Sequence, residues 1–148
     1  MKLLILSMLW MTFGNSETMM KNISSMEQTV LIKGKIKVGE ENFPVVYYDN
    51  PTSRSLVAQM PFTVTLEDYA GIEKIFYPPQ SLNKDDAPEG AEPQIGDLMY
   101  YAPWGDVAIF YKNFRFASGL IPLGKVEHLE ILMSAVKANA FRATFETE

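Results

Sequence analysis

Few residues of this chain have the types and spacing that catalysis requires. His128 is the only histidine among 148 residues, and the chain has no cysteine, so thiolate nucleophiles, disulfides and cysteine zinc sites are excluded. A lone histidine cannot form a two-histidine metal site, and most such residues are simply exposed or packed. Ser53, Ser55 and Ser118 lie in no Gly-x-Ser-x-Gly context, and no glycine-rich phosphate loop is present. The sequence therefore predicts no catalytic residue, no metal site and no cofactor.

Aromatic side chains are the second group that could have a function, because they can bind ligands. They make up 12% of the chain, and several lie near the Pro-Trp-Gly-Asp turn at residues 103–106. Trp and Tyr give a large contact area at low entropic cost, and an arginine at the rim of a groove can pair with a carboxylate. The predicted groove residues are Tyr77, Tyr101, Trp104, Phe110, Tyr111 and Arg115. The alternative is that most of these rings fill the core, with Trp104 exposed because it lies in a turn.

The charge balance argues against nucleic acid as a partner. The net charge is −5, with 13 lysine and arginine residues in total, and nucleic-acid binding needs a positive surface. Residues 80–96 are acidic and rich in Gly and Pro, which predicts a long surface loop. Their spacing does not match a calcium-binding EF-hand loop, so the loop is expected to be solvated, with a functional lid as the alternative.

The N-terminus has the pattern of an export signal. Lys2 precedes an apolar run over residues 3–13, which suits the core of a signal peptide and is too short to span a bilayer, since a span takes about 20 residues. Residues 1–16 are therefore predicted to be a signal peptide cleaved after Ser16. The mature chain is then expected in the periplasm or outside the cell, without a membrane span.

Residues 17–28 are polar and without a clear period, so they are predicted to be a flexible linker. The alternative to export is that translation begins further along the chain, in which case the protein is cytoplasmic. The candidate internal start residues are Met19, Met20 and Met26.

Hydrophobic periodicity predicts a mainly β domain over residues 29–148. Apolar and lysine residues alternate in the first segment, which is typical of a strand with one wet face. Asn50 and Pro51 have the residue types of a helix N-terminus, and Pro61 is expected to end that helix. The predicted strands cover residues 30–38, 43–48, 62–67, 74–77, 97–102, 107–112, 117–123 and 141–145, and the second helix covers 127–138.

The order of these elements resembles the cyclophilin barrel. Leu-Gly-Lys-Val at residues 123–126 is similar to the Phe-Gly-Lys-Val segment that enters the second helix of cyclophilins. Three stretches resemble more specifically the small bacterial family of cyclophilin-like proteins, namely residues 48–52, 71–74 and 96–105. The resemblance implies a closed eight-stranded antiparallel barrel capped by two helices.

The resemblance does not extend to the isomerase residues. True cyclophilins carry an Arg, a Phe and a Gln in one short strand segment, where the arginine stabilises the twisted amide. The corresponding residues 74–79 and the loop after them contain no arginine. By position, Arg115 falls near the family's tryptophan, Leu120 near its histidine, and Phe110 or Tyr111 near its proline-pocket Phe. We therefore expect a domain that binds a peptide or small molecule in a groove on the barrel wall. The alternative is a weak prolyl isomerase using Arg115.

Overall fold

The computed structural model describes residues 28–136 and 140–148. The predicted signal peptide, and the predicted linker up to residue 27, lie outside these residues. Within them the first helix is α1 (Pro51–Val57) and the second is α2 (Leu129–Ala135). The strands are β1 (Val30–Val38), β2 (Glu41–Tyr48), β3 (Phe62–Tyr69), β4 (Glu73–Phe76), β5 (Gly90–Ala91), β6 (Asp97–Tyr101), β7 (Asp106–Phe110), β8 (Ala117–Ser118), β9 (Leu120–Val126) and β10 (Ala140–Thr147).

Eight of these strands close into an antiparallel barrel, which confirms the predicted fold. Their order around the barrel is β1-β10-β3-β4-β7-β6-β9-β2, and β5 and β8 pair separately as a small two-stranded sheet. A closed barrel leaves no strand edge unpaired. Among the described residues, no helix is long and apolar enough to cross a bilayer.

Most predicted bounds differ from the structure by a few residues, and two predicted segments differ in the elements that they contain. The predicted strand over residues 117–123 is two strands, because Gly119 has φ +86° and turns the chain between β8 and β9. An added Cβ at Gly119 would also lie only 2.8 Å from the ring of Pro103. The predicted loop over residues 80–96 contains β5, which is held by its pairing with β8.

The barrel interior holds one large apolar cluster. Alternate residues of each strand enter it, as the period of two predicts. Phe145 is fully buried, and its ring stacks on Phe62 with centroids 5.2 Å apart and packs in a tilted arrangement against Phe76 at 4.7 Å. Tyr47 is also fully buried, and among the described residues its hydroxyl has no hydrogen-bond partner.

Helix α1 is anchored to the barrel by its own polar residues. The Asn50 side chain accepts from the Ser53 backbone N–H at 2.8 Å, which confirms the predicted N-cap. Asn50 also donates to the Pro122 carbonyl at 2.9 Å, and the Ser53 hydroxyl donates to the Leu123 carbonyl at 2.8 Å. These bonds to β9 hold the helix so that Leu56 reaches the interior cluster.

A second apolar cluster lies outside the barrel, on the other face of β6, β7 and β9. Its buried members are Met99, Ala108, Phe110 and Leu120. Strands β6 and β7 are therefore apolar on both faces, as their nearly continuous hydrophobicity predicts. The outer cluster forms the floor on which the candidate site is built.

Candidate functional site

A pocket of about 280 Å³ opens on the outer apolar cluster. Strands β3, β4, β6, β7 and β9 and the chain around β8 all contribute to it. The lining residues are Tyr69, Glu73, Tyr101, Trp104, Phe110, Phe114, Ala117 and Leu120. Five of these are aromatic, and Glu73 is the only one with a carboxyl group.

The turn between β6 and β7 determines where Trp104 lies. The backbone N–H groups of Trp104 and Gly105 donate to the Tyr101 carbonyl at 3.2 and 2.8 Å, and Gly105 takes φ +73°. A positive φ suits glycine because it has no Cβ. The Trp104 ring meets Tyr69 at 5.5 Å and Tyr101 at 5.4 Å, both edge to face. Trp104 remains 54% exposed and Tyr69 42% exposed.

The long acidic loop is built into the site. Its Pro93 carbonyl accepts from the Phe114 N–H at 3.0 Å, and its Glu89 carbonyl accepts from the Gly119 N–H at 2.8 Å. Together with the β5–β8 pairing, these bonds fix the chain that carries Phe114 and Ala117. Leu82, in the same loop, is buried in the interior cluster. Within the described residues no group of acidic or histidine side chains could hold a metal ion.

Glu73 brings an unusual carboxyl group into the aromatic pocket. In strand β4, Glu73 pairs with Phe110 of the neighbouring strand β7 and with Tyr69 of β3 on the other side. Burial and, as the smaller cause, the nearby charge of Asp106 together raise the pKa of Glu73 from 4.5 to about 7. A group with this pKa changes its charge near neutral pH.

Asp106 is a second desolvated carboxyl group beside the pocket. It is 1% exposed, and no donor within the described residues reaches its Oδ1. Burial raises its pKa, and a hydrogen bond from its own backbone N–H opposes this effect. Neither Glu73 nor Asp106 was singled out from the sequence. The sequence feature that could have pointed to Asp106 is an acidic residue at the start of the apolar strand β7, directly after a turn.

Three of the predicted groove residues meet at this pocket: Tyr101, Trp104 and Phe110. Tyr77 is 61% exposed and does not line it. The Arg115 guanidinium lies over the Phe114 ring, with its carbon 4.6 Å from the centroid, and so stands next to the pocket without lining it. Whether any of these residues binds a ligand stays a prediction.

Tyr111 belongs to a different network, on the interior side. Its hydroxyl donates to Asp68, and the buried Lys74 ammonium lies 3.3 Å from the same carboxylate. The Tyr111 hydrogen bond is the main reason that the pKa of Asp68 is lowered, with smaller contributions from Lys74 and the Gly71 N–H opposing the effect of burial. Burial and the bond to Asp68 raise the pKa of Tyr111 to about 12. This network joins β3, β4 and the end of β7.

His128 does not line the pocket. It precedes α2 in a left-handed conformation with φ +53°, and its Nδ1 is 3.8 Å from the Glu130 carboxylate. Both side chains are mostly exposed. The single histidine was expected to be either exposed or packed, and it is exposed.

Comparison with known proteins assigns the family. A sequence model described as the Cyclophilin-like family matches residues 36–146, and the chain belongs to this family. Among solved structures, the solution structure of a hypothetical protein from Archaeoglobus fulgidus is similar, with a TM-score of 0.62. It shares 18% sequence identity and covers 83% of this chain and 99% of its own. At this identity the likeness shows the fold alone. No curated protein matches the sequence.

Proposed function

We propose that this domain is a binding module that holds a small molecule, or one side chain of a peptide, in the pocket on the outer barrel wall. The observation that carries the proposal is the cluster of Tyr69, Tyr101 and Trp104, in which the Trp104 ring meets each tyrosine ring edge to face and all three line one open pocket. Large aromatic rings left exposed in one group are typical of interaction sites.

The size of the pocket favours a small group. Pockets for drug-sized ligands measure about 300 to 1,000 Å³, and this one is about 280 Å³. Its floor, including Phe110 and Leu120, is already buried and packed. The floor is therefore preorganised, which lowers the entropic cost of binding.

Weak prolyl isomerase activity is the second candidate function. It is favoured by one contact, the Arg115 guanidinium stacked on Phe114 at the pocket edge. A guanidinium that reaches a bound peptide could stabilise the twisted amide. A proline-peptide isomerisation assay with the Arg115→Ala variant as control tests this function. A rate equal to the uncatalysed rate would exclude it.

The binding function is tested with the full chain carrying Trp10→Phe, so that Trp104 is the only tryptophan. A panel of small apolar and amine compounds and short peptides is screened by Trp104 fluorescence and by NMR shifts of pocket residues. Tyr69→Ala should weaken any binding, whereas Tyr77→Ala removes another exposed tyrosine, outside the pocket, and should not. If no compound shifts pocket resonances, the proposal fails.

Export remains a further proposal, supported by the charged start and apolar run of residues 1–16. The mature protein should then begin after Ser16. Mass spectrometry of the protein isolated from its host measures this directly, and an intact Met1 would contradict export.

A further inference from the structure

The pocket combines aromatic faces with negative charge. The face of an aromatic ring is electronegative, and cations bind over it. Tyr69, Tyr101 and Trp104 all line the pocket, and the Trp104 ring meets each of the two tyrosine rings edge to face, at interplanar angles of 86° and 75°. None of the described residues that line the pocket carries a positive charge.

The two carboxyl groups at the site are not neutralised by the protein. In the described part of the chain, neither Glu73 nor Asp106 forms a salt bridge. Each is desolvated, and Asp106 has an oxygen without any donor. Burying a carboxyl group without a partner is costly, and a bound cation would remove part of that cost.

Neither of the nearby cations among the described residues forms a salt bridge with Glu73 or Asp106. Lys74 follows Glu73 in β4 and points to the opposite face, where it pairs with Asp68. Arg115 stacks on Phe114. The other titratable groups that interact with Glu73 are Asp106, whose charge raises the pKa of Glu73, and Tyr111, whose own pKa is raised to about 12, and neither is a cation. Because no cation of the described residues pairs with Glu73, a counter-ion for this carboxyl group inside the pocket would come from a ligand.

We propose that this pocket binds the cationic head group of a quaternary or methylated amine, with Glu73 as its counter-ion and the rings of Tyr69, Tyr101 and Trp104 around it. This inference rests on the proposed function, because it names the ligand class of the same pocket. Methylated ammonium groups suit it because they are apolar at their surface and carry a positive charge. A neutral ring, such as that of proline, would leave the carboxyl groups unpaired.

The proposal also predicts how binding depends on pH. A quaternary ammonium ion does not titrate, so any pH dependence near neutrality comes from the protein. The ionised fraction of a carboxyl group with pKa about 7 changes about tenfold between about pH 6 and about pH 8. Affinity for the cation should therefore rise by about tenfold over this range, with release of a proton on binding below pH 7.

The experiment compares choline with its neutral carbon analogue, in which a tert-butyl group replaces the trimethylammonium group. Both have nearly the same shape, so the comparison isolates the charge. Binding to the full chain with Trp10→Phe is followed by Trp104 fluorescence and by NMR. Choline should bind at least about tenfold more tightly than the neutral analogue at pH 8, as expected for a desolvated cation–π site.

Two variants test whether Glu73 provides the negative charge that binds choline. Glu73→Gln keeps the side-chain size and should reduce choline affinity by about tenfold while removing its pH dependence. Glu67→Gln removes the same charge from an exposed position on β3 and should leave both unchanged. NMR spectra of both variants check that the barrel is intact.

The outcomes separate this inference from the proposed function. Equal binding of choline and its neutral analogue would overturn the cation assignment and leave the pocket as a binding site. The cation assignment would likewise be overturned, and the binding site kept, if neutral compounds of the wider panel bind to the pocket and no cationic compound does. If neither probe nor any panel compound shifts the pocket resonances, the binding function itself is wrong.

Discussion

Replacing Glu73 by Gln should stabilise the protein, and the effect should grow with pH. Folding raises the pKa of Glu73 from 4.5 to about 7, mainly through burial. Between these two pH values the unfolded chain has released the proton and the native protein still holds it. The native state therefore binds more protons, and this group lowers the free energy of unfolding as pH rises.

The magnitude follows from the size of that pKa change. At about 1.4 kcal/mol per pH unit, a rise from 4.5 to about 7 corresponds to roughly 3 kcal/mol. Glu73 lines an open pocket, so water screens part of the penalty, and about 2 kcal/mol is expected. The penalty is absent below about pH 4.5, develops up to about pH 7 and stays constant above that.

Urea unfolding of the wild type and of Glu73→Gln at a series of pH values measures this effect. The difference in free energy of unfolding between them should be close to zero near pH 4 and about 2 kcal/mol in favour of the variant at pH 8. Taking the difference cancels the contributions of acids that are not coupled to Glu73, such as Asp68.

A difference that does not change with pH would refute the reasoning, because it would show that Glu73 has the same pKa in the folded and unfolded states. Glu67→Gln is the matched control. It removes an exposed glutamate of the neighbouring strand and should change stability by no more than about 0.5 kcal/mol.

Three further perturbations follow from single contacts. Tyr111→Phe removes the hydrogen bond that chiefly lowers the pKa of Asp68, so it should raise that pKa in a carboxyl NMR titration and cost about 1 kcal/mol at pH 7. That cost should shrink as Asp68 is protonated, below about pH 4. Tyr47→Phe deletes a buried hydroxyl with no partner among the described residues, and thermal unfolding should show a gain of about 1 kcal/mol. Gly124→Ala should cost several kcal/mol or prevent folding, because its Cβ would overlap the Val46 carbonyl where β9 meets β2.

Much of the fold could be predicted because its local signals agree. The alternation in β1, the Asn50 cap and the doubly apolar strands β6 and β7 each predict a structure that is observed. The boundary at Gly119 was missed, since its positive φ depends on packing against Pro103 and not on neighbouring residues alone.

The candidate site was predicted only in part. Phe110 and Tyr111 were equivalent in the sequence, but adjacent strand residues face opposite sides of a sheet. Phe110 therefore joins the outer cluster, whereas Tyr111 packs on the interior side. The role of Glu73 could not be recognised in the sequence. Its raised pKa depends on the rings and on Asp106, which other strands bring beside it.

The amino-acid sequence by itself determined the class of this domain, since the strand periods, turn residues and family motifs are local properties of the chain. Tertiary structure alone decided which aromatic rings share a pocket and which acidic side chains are desolvated. The physical reason is that burial and electrostatic coupling arise between residues distant in sequence. Asp106 and Glu73 influence each other only once β4 and β7 are paired in the closed barrel.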